Sequence, residues 1–191
     1  MCWEIIHNNY CDPSGLKPSL MAKALKETKN DASFINIVFW GAKVLRKEDL
    51  QADAVLIRQQ YLKKPVGRGN VAVAELQVKG GVAFCAAATS RGGNKSPIRE
   101  IPKPKSAGGQ FEPAIDSRTQ RMMDTDAEYK VLSEIADTLE MFYDLEVEGQ
   151  LYLYTELQPC ESCSSILRQF EEKFPHIKIE VFWDYPYPRE S

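Results

Sequence analysis

Basic residues do not dominate this chain, histidine is scarce, and no long apolar run interrupts it. Each absence excludes something. The formal net charge is −3 over 191 residues, so the Lys and Arg that phosphate contacts need are too few for a general nucleic-acid binder. No stretch approaches the ~20 apolar residues that a membrane-spanning helix requires. The opening MCWEIIHNNYCDPSG lacks the basic, apolar and small-residue order of a signal peptide. A soluble protein with no membrane partner is expected. Five cysteines, unevenly spread, argue against a disulfide framework and for a reducing compartment.

What is present is an ordinary globular balance, 43% apolar and 27% charged, in a length that suits one domain with an appendage. The charge is uneven. From Arg91 to Arg121 seven Lys/Arg stand against three Asp/Glu, whereas from Met122 to Ser191 five stand against sixteen. A local basic segment could still meet a phosphate backbone. Apolar spacing predicts a short helix over 18–30 and a strand or buried helix over 33–45. A firmer helix covers 47–64, where Leu50, Ala54, Ile57 and Tyr61 share a face and Pro65 stops it. Two runs of small and β-branched residues flank Lys79-Gly80-Gly81, the turn of an antiparallel hairpin. Residues 91–122, rich in Gly, Pro, Ser and basic side chains, predict a long loop, which at that length is functional or disordered. A helix over 124–144 follows, striped by Val131, Leu132, Ile135, Ala136, Leu139 and Phe142. Strand 149–157, helix 159–174 and strand 177–183 complete the order, and strand, helix, strand implies a parallel pair with a right-handed crossover. The expected division is an N-terminal helical extension, 1–46, and a domain over 47–191.

The segment TELQPCESCSSIL, 155–167, carries the chemistry. Cys160 and Cys163 fall on the first turn of the last helix, where the helix N-terminus favours the thiolate, and Pro159 sits where a missing N–H costs little. Taken alone, a Cys-x-x-Cys is open between metal ligation, redox chemistry and packing. Zinc needs four protein ligands in a structural site, or three and a water in a catalytic one. Cys2, Cys11, Cys85, His7 and His176 form no second close pair. His176 lies beyond the far end of the helix, roughly 20 Å from its start at about 1.5 Å per residue. The other candidates are Asp126 and Glu128 in TDAEYKVL, on the first turn of the preceding helix. TDAE alone reads more readily as a capping box, with Thr125 and Glu128 satisfying backbone N–H groups. In order, on the first turns of two successive helices with a strand between, Asp126-x-Glu128 and Pro159-Cys160-x-x-Cys163 follow the layout of the zinc nucleobase deaminase signature, H-x-E…P-C-x-x-C, with Asp in place of His.

At these residues the sequence resembles the cytidine deaminase-like superfamily, and more narrowly the bacterial toxin deaminases, which share the GNVAVAE strand (69–75) and the YTE…PCESC…QF…FP stretch. The resemblance covers about residues 47 to 184. It implies an α/β, three-layer cytidine deaminase-like fold: a mixed sheet of an N-terminal hairpin plus parallel strands, with the motif helices packed on it. It implies Zn2+ on Asp126, Cys160 and Cys163, with Glu128 as the catalytic proton carrier. It also implies conversion of cytosine to uracil in nucleic acid, DNA or RNA and single-stranded by preference, by a toxin-type effector. Such a protein works in the cytoplasm, reached by secretion and delivery into a target cell, and meets an immunity protein as a partner. Asn70, at the start of the first hairpin strand, and Ser90, just past the second, are placed against the substrate. The loop 91–121 would lie at the mouth of the site. Its basic side chains could follow phosphates, and Phe111 could stack on a base.

The bland readings stand beside these. The loop charges fit a solvated face, Asn70 and Ser90 fit turn chemistry, and Cys85 fits a small buried strand residue. An Asp at the first ligand position also suits a catalytically inactive binding or immunity module that keeps zinc as a structural pin. A thioredoxin-like dithiol is a third reading, with the wrong order of elements around the cysteines.

Overall fold

A computed structural model describes residues 47–80 and 83–187; the elements expected over 18–30 and 33–45 lie outside them. Helix α1 spans Lys47–Ile57 and continues as one wide π-type turn, Arg58–Leu62, that ends at Lys63 in the left-handed region (φ 52°). The expected helix over 47–64 is thus regular only to Ile57. Its widened last turn brings Arg58, a buried residue, onto the backbone carbonyls of Lys64 and Pro65.

Strands β1 (Val71–Val78) and β2 (Ala83–Thr89) form the expected antiparallel hairpin, with Val71 opposite Thr89 and Gln77 opposite Ala83. Gly80 stands in its turn at φ +68°, a region that glycine enters without steric cost. The segment 91–122 is no featureless loop. It holds two short 3-10 turns, Gly93–Lys95 and Lys105–Ala107, and a small hairpin of β3 (Ile115–Asp116) and β4 (Arg121–Met122). Helix α2 (Ala127–Phe142), strand β5 (Gly149–Leu157), helix α3 (Glu161–Lys173) and strand β6 (Ile177–Tyr185) follow.

The main sheet has the order β2-β1-β5-β6. Strand β5 runs antiparallel to β1 and parallel to β6, the pair joined through α3. Alternation along β1 explains the layers. Ala72, Ala74 and Leu76 turn to one face, into a core with Val131, Ile135 and Leu139 of α2 and Ile166 and Phe170 of α3. Val71 and Val73 turn to the other, against Leu50, Ala54 and Ile57 of α1. The alanines carry almost no side-chain bulk, so α2 sits close to the sheet, and β1 and β2 are buried on both faces. The result is a three-layer α/β fold with a mixed sheet. Asp126, Cys160, Asn70 and Thr155 all lie at one end of the sheet, where α2 and α3 begin, β1 starts and β5 finishes. Among the described residues no helix is long and apolar enough to cross a membrane.

Candidate functional site

Cys160 is the N-cap of α3, and its sulfur accepts from the Cys163 N–H at 3.3 Å. Asp126 is the N-cap of α2, yet its carboxylate makes no capping bond. An Asp here normally satisfies its own helix. Instead Oδ2 lies 3.4 Å from Cys160 Sγ and 3.2 Å from Cys163 Sγ, and the two sulfurs are 3.4 Å apart. Among the described residues these three form the one cluster whose donor atoms lie within 4.8 Å of one another and could hold a metal ion. Zinc bonds of about 2.3 Å to sulfur and about 2.0–2.2 Å to oxygen, at tetrahedral angles, separate donors by about 3.5–3.8 Å. The donor set and its spacing therefore fit zinc after an expansion of a few tenths of an ångström.

The electrostatics point the same way. Burial pushes the Asp126 carboxyl up, offset in part by the two thiols. The hydrogen bond with Cys160, then burial, then the acids at 128 and 126 push the Cys163 thiol well up. Asp126 and Cys163 are thus both held towards their neutral forms at one buried point, and a cation there would relieve that.

Glu128 stands beside it. The side chain is buried, 3% exposed, and burial followed by the charge of Asp126 raises its carboxyl to about 7. Its Oε1 accepts from Asn70 Nδ2 at 2.9 Å and from Thr155 Oγ1 at 2.7 Å. The capping-box reading of TDAE gives way, because Asp126 rather than Thr125 occupies the N-cap position, without a capping bond, and Glu128 is engaged by Thr155 of β5.

Glu128, Asp126 and both cysteines line a cavity of about 200 Å³, with Asn70 and Ser90 on its wall and Tyr187 at its rim. A wider, open depression of about 800 Å³ near Val78 and Phe142 lies at the opposite end of the sheet, away from the cluster; the chemistry selects the smaller one. Asn70 and Ser90 do line the site, but both are tied to the protein. Asn70 N donates to Ser90 Oγ at 2.8 Å, and the Asn70 amide is bonded to Glu128, Thr155 and the Leu157 N–H. Phe111 requires a correction. It is 1% exposed and packs on Phe170 at 5.9 Å between centroids, so it belongs to the core and cannot stack on a substrate base. The apolar core outbids a solvent-facing position for a phenyl ring. Arg91 Nε lies against Gly69 at the cavity rim, while Arg118 donates to the Tyr187 carbonyl.

Sequence reasoning missed four residues. Thr155 follows Leu151 and Leu153 on the inward row of β5, and a polar side chain on an apolar row was a readable signal. Arg58 and Glu156, a buried pair that braces the cavity wall, gave no such signal, and neither did the rim residue Tyr187.

A sequence model of the Toxin-deaminase family, described as the BURPS668_1122 family of deaminases, matches residues 55–184. No curated protein matches the chain.

Proposed function

The chain belongs to the Toxin-deaminase family, and from that premise we propose that it deaminates cytosine to uracil in nucleic acid, with zinc on Asp126, Cys160 and Cys163. The observation that carries this reading is the buried Glu128 carboxyl beside the three-donor cluster, in one cavity. When bound there, zinc supplies Lewis-acid activation of a water molecule at neutral pH.

The protein's own part is proton handling. Deamination adds water at the amine-bearing ring carbon and releases ammonia. Glu128 takes one proton from the water and gives it to the ring nitrogen. It then takes the proton of the hydroxyl added at the ring carbon and gives it to the amine, so the C–N bond breaks as the carbonyl forms and ammonia leaves. Its burial, and the two hydrogen bonds on Oε1, keep it aimed at the cavity rather than at solvent. A cavity of about 200 Å³ suits a single unstacked base. That, with Arg91 at the rim and the basic segment 91–121, supports a single-stranded polynucleotide over a duplex.

The toxin character of the family supports action in the cytoplasm of a target cell after delivery, with an immunity protein as the neutralising partner. The test is ammonia release by the zinc-loaded protein from single-stranded DNA, duplex DNA, RNA and free cytidine, beside Glu128→Ala. Release from a polynucleotide, lost in the variant while zinc and fold persist, is expected. Release that survives the substitution overturns the reading. Silence on all four substrates favours the inactive fold with a structural zinc.

A further inference from the structure

The two carboxylate oxygens of Glu128 are treated differently by the fold. Oε1 accepts two hydrogen bonds, from Asn70 Nδ2 and from Thr155 Oγ1. Thr155 Oγ1 itself accepts from Asn70 Nδ2 at 2.7 Å, so its own hydrogen is directed on to Glu128. The sense of the Asn70 amide is fixed as well, because its Oδ1 accepts from the Leu157 N–H at 3.2 Å. Turning it over would set an amide nitrogen against an N–H and an oxygen against a carboxylate. The bonds thus run one way, from Asn70 through Thr155 to Glu128. Thr155 is fully buried and Glu128 nearly so, and a satisfied chain of this kind in a water-poor setting is stiff.

Packing does not explain the threonine. It continues the inward row of Leu151 and Leu153 and sits opposite Ala72 of β1, where valine would fill the same space. Only the hydroxyl distinguishes the two.

We propose that Thr155 is the positioning residue of this site. It holds Glu128 Oε1 as a permanent acceptor and leaves Oε2 as the one oxygen that carries the migrating proton. Each proton enters at Oε2, first from water and then from the added hydroxyl, and leaves Oε2 for a substrate nitrogen, so the carboxylate is regenerated and Oε1 never changes partners. The proposal rests on the reading of Glu128 as the proton carrier.

The test uses the full chain, zinc-loaded and labelled with carboxyl-13C glutamate, as wild type, Thr155→Val and Thr155→Ser, with Glu128→Gln to identify the Glu128 signal. Thr155→Ala replaces the valine variant if that one does not fold. In Thr155→Val the Glu128 resonance is expected to move, and in Thr155→Ser to return. In parallel, kcat for ammonia release from a single-stranded oligodeoxynucleotide is expected to fall about 10–100-fold, as for other outer-sphere partners. KM stays constant, and serine restores the rate. An unmoved resonance in Thr155→Val overturns the proposal, as does a moved resonance with wild-type kcat. A resonance that moves in a protein releasing no ammonia supports the hydrogen-bond assignment and counts against the functional reading instead.

Discussion

Two polar groups flank the end of β5, and they are built in opposite ways. The first is closed. Arg58 Nε and Nη2 donate to the two oxygens of Glu156 at 2.5 Å, and the remaining guanidinium hydrogens go to the carbonyls of Lys64, Pro65 and Gly69. Glu156 Oε2 also accepts from Val71 N at 2.9 Å. A guanidinium has five N–H donors, and all five are engaged. The second, Asp126 with Cys160 and Cys163, is open. Three acidic groups meet within 3.4 Å, and among the described residues no cationic side chain is bonded to them. A closed group stiffens the wall of the cavity; an open one has its donor atoms turned to chemistry.

Cys163→Ser breaks the open side and gives the largest effect expected. Zinc affinity should drop by more than the about 10–100-fold typical of an outer-sphere partner, and ammonia release should vanish with it. Metal analysis of the purified variant checks this. Wild-type zinc affinity with one of the three ligands replaced would mean that the metal sits elsewhere.

Arg58→Ala breaks the closed side. It leaves Glu156 buried without its partner and strips three carbonyls of the 64–69 segment. The loss expected is about 3–5 kcal/mol in urea unfolding. Gly69, at φ +96° beside Ser90 and Arg91, is part of the same wall, so the cavity should loosen as stability falls. If stability holds within about 1 kcal/mol, the buried pair contributes no more than an exposed one would and does not brace the wall.

A third group sharpens the contrast because it is neither closed nor open. Asp184 accepts from Gln51 at 2.6 Å and Tyr154 at 2.7 Å and pairs with Lys47 at 2.5 Å, partly exposed to solvent. Burial raises its carboxyl, but the bonds from Lys47, Tyr154 and Gln51 outweigh that and leave it below the ordinary value of 3.8. A depressed carboxyl stabilises above its unfolded value and loses that contribution as pH falls through the folded one. Asp184→Asn should therefore flatten the acid limb of stability below about pH 4 and cost no more than about 1 kcal/mol at neutrality, since solvent screens the pair. Thermal unfolding at pH 3 and pH 7 measures both.

The limits of sequence reading follow the same lines. The hairpin at Lys79-Gly80, strand β5 and helix α2 are legible because their periodicity is local, and the match over 149–157 is complete. The regular part of α1 ends earlier than its apolar pattern because Arg58 turns inward to Glu156, a partner 98 residues away. Phe111 looked available for stacking in a loop of charge and glycine, yet the ring found Phe170 and left solvent.

The sequence by itself determined the main elements from α1 to β6, their order and the two motifs, because each depends on neighbours a few residues apart. Only the tertiary structure decided that an Asp at a helix cap abandons its own backbone for two sulfurs, and that Asn70 reaches Glu128 through Thr155. Those partners are 27 to 85 residues apart in the chain. What brings them together is the burial of Ala72, Leu153 and the inner faces of α2 and α3, a sum over the whole core that no short stretch encodes.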